Sequence, residues 1–479
     1  MTHLRLVAPE LTLAGAGLLL LLLRAAGRRP PSAWSGLLAA GGCLGAGWFL
    51  LPLREEYLSA LNGAVLVDSL AFYFQALLLA VAVLTLAGTP GWCRRHPHRG
   101  LVLQALVVWE TAALLLLVAV GELGALYLAF AAAALIGLAM AGLTAPAPVQ
   151  GSTPARSLPH TLTAGVVGAF LLYGAGFVYG LAGSTNFEEI GVRLAASGEP
   201  PVLRLAVLLF LAGPGLALAM VPFHFWVPDL VDAVPASVGA YLTVAPKLAG
   251  LAVLFRFFTT ALPAQVETWT ALFSAAAAVS LVFGSLAALV QTRPKPLLAY
   301  LGLAQSGYLL LGLAAISLEG LTAALFHAAL YSFSSLAAFL ALAVWEESSE
   351  GAPGRFPVVA LVSALLSLAG VPPAAGFLGE FVLFMAAVHE GRAALAFLGV
   401  GLSVVCAYPC LRVAVTMAGT ASGRPLAPVP EPGSQTTRLR TAPTTLLATG
   451  LMLVSTLALS AFPGWLLQAA EWAARRFWG

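Results

Sequence analysis

Fourteen stretches of roughly twenty mostly apolar residues follow one another along the chain, and no other feature limits its fold as severely. In hydrocarbon no water pairs with backbone N–H and C=O groups, so a segment of that length crosses a bilayer only as a helix bonded to itself. The windows read as residues 8–24, 34–52, 66–89, 100–120, 123–143, 161–182, 203–225, 237–259, 268–291, 296–317, 320–343, 357–388, 394–418 and 443–467. Charged residues make up 9% of the chain, against about a quarter in soluble domains. The expected fold is an all-α polytopic membrane protein of about 14 transmembrane helices.

Loop charges orient those helices. Alternate loops hold Arg24, Arg28, Arg29, Arg94, Arg95, Arg99, Arg156, Arg293, Lys295, Arg355, Arg424, Arg438 and Arg440, while the others hold Arg5, Arg54, Arg193, Arg204, Arg392, Arg475 and Arg476. Positive charge marks the cytoplasmic side, so both termini are expected outside. The apolar run Leu11 to Leu23 is followed, not preceded, by arginines, which reads as a retained first span and not a cleaved leader. Residues 144–160 and 419–442 have the composition of flexible loops. A net charge of +3 on scattered basic residues gives no footing for nucleic acid. Cys43, Cys93, Cys406 and Cys410 lack the spacing of a metal or cluster site, and no P-loop, dinucleotide fingerprint or catalytic triad occurs. No redox or hydrolytic chemistry is expected of this chain itself.

Polar residues inside the apolar windows point to function. Residues 218–250 read LAMVPFHFWVPDLVDAVPASVGAYLTVAPKLAG, an apolar segment broken near Pro222 and followed by a lysine, Lys247, about ten residues into the next window. At the helical rise that is roughly 15 Å, close to mid-bilayer. Proline breaks the helical ladder, and freed carbonyls at membrane depth must be met by protein or a wet cavity. A buried amine costs roughly 2.5 to 3.5 kcal/mol on insertion scales. The depth argues for a polar pathway over a lysine snorkelling to the interface. Glu110 is also near mid-depth and reads either as a protonated, hydrogen-bonded carboxyl or as a proton exchanger. Glu380 follows a second break, GVPPAAGFLGEF, with Gly370, Pro372 and Pro373, where LAGVP repeats LAMVP of the first. Paired broken segments mark the site in transporters built of repeats. His224, Asp229, Gln305, Tyr308, His327 and Tyr331 are softer candidates, since a lone His or Tyr in such a helix more often packs and hydrogen-bonds. Lys295 reads first as an interface anchor and second as the cytoplasmic mouth of a path.

VPFHFWVPD, VGAYLTVAPKLAG, QTRPKPLLAYLGLAQSGYLLLG, SFSSLAAF, LLSLAGVPPAAGFLGEFVLF, GLSVVCAYPCLRVAVTM and LLATGLMLVSTLALSAFPGWLL, in that order, resemble the antiporter-like subunit N of bacterial respiratory complex I. The resemblance covers residue 200 onward most specifically and residues 100–145 less so. It implies three N-terminal helices (1–99), two inverted five-helix repeats (100–260 and 266–418) with discontinuous helices 7 and 12, a cytoplasmic loop (419–442) and a last helix with its tail (443–479). It implies a bacterial cytoplasmic membrane with both termini periplasmic. It also implies proton translocation driven by quinone reduction elsewhere, with NADH, FMN, iron–sulfur clusters and quinone in partner subunits and no cofactor here. The neighbours would be the M-type subunit and small K-, J- and A-type subunits.

Set against the family pattern, this sequence departs in places. The lysine of helix 8 is present as Lys247, but Ala131 stands at the glutamate position of helix 5 and Ala217 at the lysine position of helix 7. Gln305 replaces a frequent histidine, and Glu380 a lysine. Losing both members of a buried pair strands no charge, whereas losing one would cost several kcal/mol. Glu110 is therefore expected to supply a replacement carboxylate within about 4–6 Å of Lys247, directly or through water. The leading expectation is a proton path through Lys247, helix 10 and Glu380. Competing readings are a structural spacer that pumps nothing, and a subunit of a related energy-converting hydrogenase or cation/proton antiporter.

Overall fold

A computed structural model describes residues 5–27, 32–145, 158–197, 200–347, 355–421 and 442–478. Most of the two expected flexible loops, with Arg28, Arg29, Arg156, Arg424, Arg438 and Arg440, lies outside the described residues. The first spans are α1 (Ala8–Ala25), α2 (Ser32–Leu50) and α3 (Ser69–Ala87), with a hairpin of β1 (Leu58–Ala60) and β2 (Val65–Val67) between the last two. After the short helix α4 (Pro90–Arg95) come α5 (Pro97–Val118), α6 (Leu123–Thr144) and α7 (Leu158–Ala182), then a second short helix, α8 (Phe187–Ser197). The seventh span is in pieces: α9 (Pro201–Phe210) and α10 (Ala212–Leu218) lead to a break, and α11 (Trp226–Ala233) resumes beyond it. Next are α12 (Ala236–Thr260), α13 (Val266–Leu289), α14 (Pro294–Ala314) and α15 (Leu318–Glu347). The twelfth span is split into α16 (Arg355–Leu368) and α17 (Ala375–His389), and α18 (Ala393–Ala421), α19 (Pro443–Ala461) and α20 (Gly464–Trp478) close the chain.

Among the described residues thirteen segments are long and apolar enough to cross a bilayer, and α16 with α17 makes the remaining crossing, in agreement with the fourteen windows. Proline opens α4, α5, α9, α14 and α19, the first-turn position where its missing N–H costs nothing. The hairpin, α4, α8 and α20 were not expected, because averaging over twenty residues hides short amphipathic pieces. For α8 the signal was present: Asn186 Oδ1 accepts from the amides of Glu188 (3.0 Å) and Glu189 (3.3 Å), an N-cap three residues ahead of a glutamate.

The helices α12, α14 and α15 form the axis and are almost wholly enclosed by the others. Acidic residues at the end of α15 tie this axis together. Glu346 accepts from Ala236 N (2.9 Å), capping α12, and pairs with Lys295 (2.5 Å) in the first turn of α14. Glu347 accepts from Ala442 N (2.9 Å) and Thr445 Oγ1 (3.2 Å), capping α19. At the far end of α12, Arg256 holds Asp68 through two bonds of 2.5 and 2.9 Å and reaches Val118 O on α5 (3.3 Å). Asp68 also N-caps α3 by accepting from Ala71 N (2.7 Å). Both members of the pair are buried. The sequence reading missed it, because Arg256 stands alone in VLFRFF and Asp68 lies at the very start of its window.

The two broken spans end alike but in different register. Ala219 (φ 57°) follows α10 in the left-handed region, with Ala219 N bonded to Leu216 O (3.0 Å) and Met220 N to Gly215 O (3.0 Å). Gly370 (φ 65°) does the same after α16, with bonds to Ser367 O (3.1 Å) and from Val371 N to Leu366 O (3.1 Å). Such a left-handed residue, with its amide and the next bonded back onto the last turn, ends a helix by using up orphan carbonyls. The sequence repeat aligned Ala219 with Ala369. The turn instead matches it to Gly370, one residue later.

Replacing Arg256 by Met is expected to cost roughly 3–5 kcal/mol, because Asp68 is left as an unpaired buried carboxylate. Arg256→Met combined with Asp68→Asn should recover most of that loss. Thermal unfolding midpoints in detergent compare them, and an unchanged midpoint for Arg256→Met alone would contradict a stapling role.

Candidate functional site

Lys247 reaches the centre of the axis because α10 stops short of it. Its Nζ donates to Leu218 O (2.9 Å), the last carbonyl of α10, to Gly302 O (2.6 Å) and to Ser306 Oγ. An ammonium has three protons, and all three meet neutral oxygens. The Tyr331 ring lies 5.4 Å from Nζ and supplies a polarisable face. Close approach of α10 requires Gly250, one turn after Lys247, since a Cβ there would lie 3.1 Å from Pro214 O and nearer still to Leu218 and Ala217. Pro246 sits inside α12 and offers no amide to the carbonyl of Leu242, so the helix loses a rung beside the lysine.

The second group lies at the other break. Gln305 Nε2 donates to Leu368 O (3.0 Å), the last carbonyl of α16, and faces Glu380 Oε1 at 3.4 Å. Its Oε1 lies 2.6 Å from His327 Nε2. Because the amide nitrogen is the donor in both other contacts, Oε1 must accept, and the imidazole carries its proton on Nε2. The carboxylate of Glu380 packs directly against Gly370 in the break. All four side chains in this group and at Lys247 (Lys247, Gln305, His327 and Glu380) are buried.

The two groups meet on shared helices. Ser306 serves Lys247 while its neighbour Gln305 serves Glu380, both on α14; Tyr331 faces Lys247 while His327, one turn earlier on α15, faces Gln305. The sequence named most of these residues but missed Ser306 and the two Leu carbonyls. The polar run Gln305-Ser306-Gly307-Tyr308 within an apolar helix was the available signal for Ser306.

Other candidates fall elsewhere. Glu110, on α5, is buried and not lipid-facing, but it makes no bond to Lys247. It lines a cavity of about 60 Å³ together with Phe130, Ala133, Gly137, Leu216 and Pro246, and its Oε2 meets no protein donor. That volume holds more than one water. A smaller cavity of about 10 Å³ lies beside Lys247. Ala217, Trp226 and Leu242 line both. The expected Glu110–Lys247 proximity is thus two cavities with a common wall and not a direct pair. Ala131 is half-buried and does not line the cavity; the inward positions of α6 are Phe130, Ala133, Ala134 and Gly137.

His224 packs between Phe225 (4.3 Å) and Phe283 (4.5 Å), away from Lys247. Tyr308 donates to Gly399 O (3.1 Å) and packs edge-on to His327, outside the hydrogen-bonded chain. Lys295 is held by Glu346 and by Val234 O (2.7 Å) at the end of the bundle. Pro222, Gly370, Pro372 and Pro373 all lie in the breaks. Among the described residues no group of three or more His, Cys, Asp or Glu side chains could hold a metal ion.

Gly370→Ala is expected to lower the unfolding midpoint, because the new methyl meets the Glu380 carboxylate and a left-handed alanine costs roughly 1–2 kcal/mol. Ala219→Gly, at the matching turn, should raise it. Equal midpoints for Gly370→Ala and the parent would contradict this geometry.

Residues 120–406 match the family described as NADH:quinone oxidoreductase/Mrp antiporter, TM. The chain is 35% identical over 427 residues to the NADH-quinone oxidoreductase subunit N of Moorella thermoacetica, covering 87% of this chain and 89% of that one. It superposes on a chain of respiratory complex I from Thermus thermophilus with a TM-score of 0.76 and 28% identity, covering 96% of this chain and 99% of that chain. A chain of the Mrp complex from Dietzia sp. shares the fold, with a TM-score of 0.79 at 20% identity and coverage of 98% and 97%.

Proposed function

The chain belongs to the NADH:quinone oxidoreductase/Mrp antiporter family, and on that premise we propose that it is the N-type, proton-translocating subunit in the membrane arm of a complex-I-like NADH:quinone oxidoreductase. The observation that carries this is the pairing of each broken helix with a buried polar group: Leu218 O with Lys247, and Leu368 O with Gln305 beside Glu380. Spans that served only as filler would have no use for either.

On this reading Lys247 stores a proton between three neutral oxygens, and no carboxylate locks it there. A change of field along the arm, set by quinone reduction in a partner subunit, then decides whether the proton stays. Release towards Glu380 runs along α14 and α15, where Ser306, Gln305, His327 and Tyr331 line the route. The amide of Gln305 orients the carboxyl of Glu380, which exchanges with the outer side. Glu110 feeds Lys247 from its own cavity. NADH, flavin, iron–sulfur clusters and quinone belong to partner subunits. Those partners are the M-type subunit and the small K-, J- and A-type subunits, and both termini face the periplasm.

A structural spacer is the second reading. It is favoured by the tight embrace of Lys247, whose three protons are all taken and whose cavity is about 10 Å³.

The two readings separate in the intact complex, reconstituted in liposomes. Lys247→Met and Glu380→Gln are each expected to lower the protons moved per electron pair while assembly and quinone reduction persist. Ratios equal to wild type for both variants would overturn the pump and leave the spacer.

A further inference from the structure

The Glu110 and Lys247 cavities have a wall in common. Its lining is Ala217, Trp226 and Leu242. Ala217 contributes only a methyl, and Trp226 fills the first turn of α11 with a buried, bulky indole. Leu242 is different. It is short, apolar and jointed at two torsions, and a change from one staggered rotamer to another relocates its methyls.

Its position is fixed by a common landmark. A methyl group placed on Gly137 would lie 3.0 Å from Glu110 Oε1 and 3.5 Å from Leu242 Cδ2, so the carboxylate and the leucine tip share one spot on α6. On its other side Leu242 borders the cavity that also contains Thr243, Gly302 and Tyr331 around Lys247. The backbone is loose at the same place, because Pro246 gives the Leu242 carbonyl no helical donor. That spare carbonyl is a natural acceptor for water once the side chain moves.

We propose that Leu242 is a hydrophobic gate: with its side chain between the cavities the septum is dry, and its rotation joins them into one water chain from Glu110 to Lys247. The proposal rests on the proton-path reading above. It adds the element that keeps the first step from short-circuiting. A permanently open wall would let Lys247 equilibrate with Glu110 at all times, and the energy of quinone reduction would be lost as leak. No bond is made or broken at Leu242; only water passes.

The test uses the intact complex in liposomes with a pH-sensitive dye inside. Leu242→Ala should raise passive proton conductance about tenfold, equivalent to about 1.4 kcal/mol of barrier. It should also lower the protons moved per electron pair while quinone reduction continues. Leu242→Phe should do the opposite to conductance. If Leu242→Ala fails to assemble, Leu242→Val is scored in the same way. Wild-type conductance and stoichiometry in the assembled variant overturn the gate. Lys247→Met, run alongside, separates the two failures. If it lowers the ratio while the Leu242 variants do nothing, only the gate falls. If it too changes nothing, the proton path falls with it.

Discussion

An ammonium in the middle of a bilayer must be met by oxygen atoms, and a regular helix offers few that are not already engaged. Every carbonyl in a regular helix is already bonded to the amide four residues on. The site exists because α10 and α16 stop inside the membrane. Each leaves its final carbonyl, Leu218 O or Leu368 O, pointing at a side chain that needs it. The negative end of a helix dipole favours a cation, so the end of α10 suits Lys247 twice over. The breaks and the polar groups thus explain each other. The freed carbonyl of Leu218 is met by Lys247 and by the Ser306 hydroxyl, and without the break the lysine would lack one of its three acceptors.

Holding such a site open demands a stiff frame. The helix that carries Lys247 is pinned at both ends by charge. Glu346 caps its start and ties it to Lys295 on α14, while Arg256 near its other end grips Asp68 and the last turn of α5. Between these anchors α12 has its weak point, at Pro246. Rigid ends and a loose centre confine any rearrangement to the few residues around Lys247. The same acidic pair at the end of α15 also caps α19, so the frame extends to the penultimate helix of the chain.

Much of this was legible in the sequence, and for a simple reason. Bilayer thickness imposes a length, charge avoidance imposes composition, and proline marks a break, so spans, broken helices and the misplaced ionisable groups all stand out in one dimension. What stayed hidden depends on three. Asp68 and Arg256 are 188 positions apart and each lies near an edge of its window, where a charge reads as interfacial, so nothing announces that they meet. Ser306 looks like any small residue in a membrane helix until Lys247 is placed beside it. Ala131, which the resemblance sets at the family's glutamate position, is half-buried, and a run of four alanines, Ala131 to Ala134, carries no periodicity to say in advance which face points in. The register of the second break slipped for a similar reason: LAGVPP contains one proline more than LAMVP, and the letters alone do not say which residue turns left-handed.

Two kinds of buried charge sit in this molecule, and the contrast explains their uses. Arg256 and Asp68 neutralise each other directly, and separating them would strand both, at a cost of several kcal/mol. That is a staple. Lys247 and Glu380 are compensated instead by dipoles: carbonyls and a hydroxyl around the amine, an amide beside the carboxyl. A proton can leave Lys247 without breaking an ion pair, because every group around it is neutral before and after. The oxygens that hold the ammonium also keep the amine in place once it is neutral, since it still has two protons to donate. A site built in this way is held in position in both charge states and committed to neither. That is the property a proton relay needs, and one that a salt bridge at the same depth would destroy.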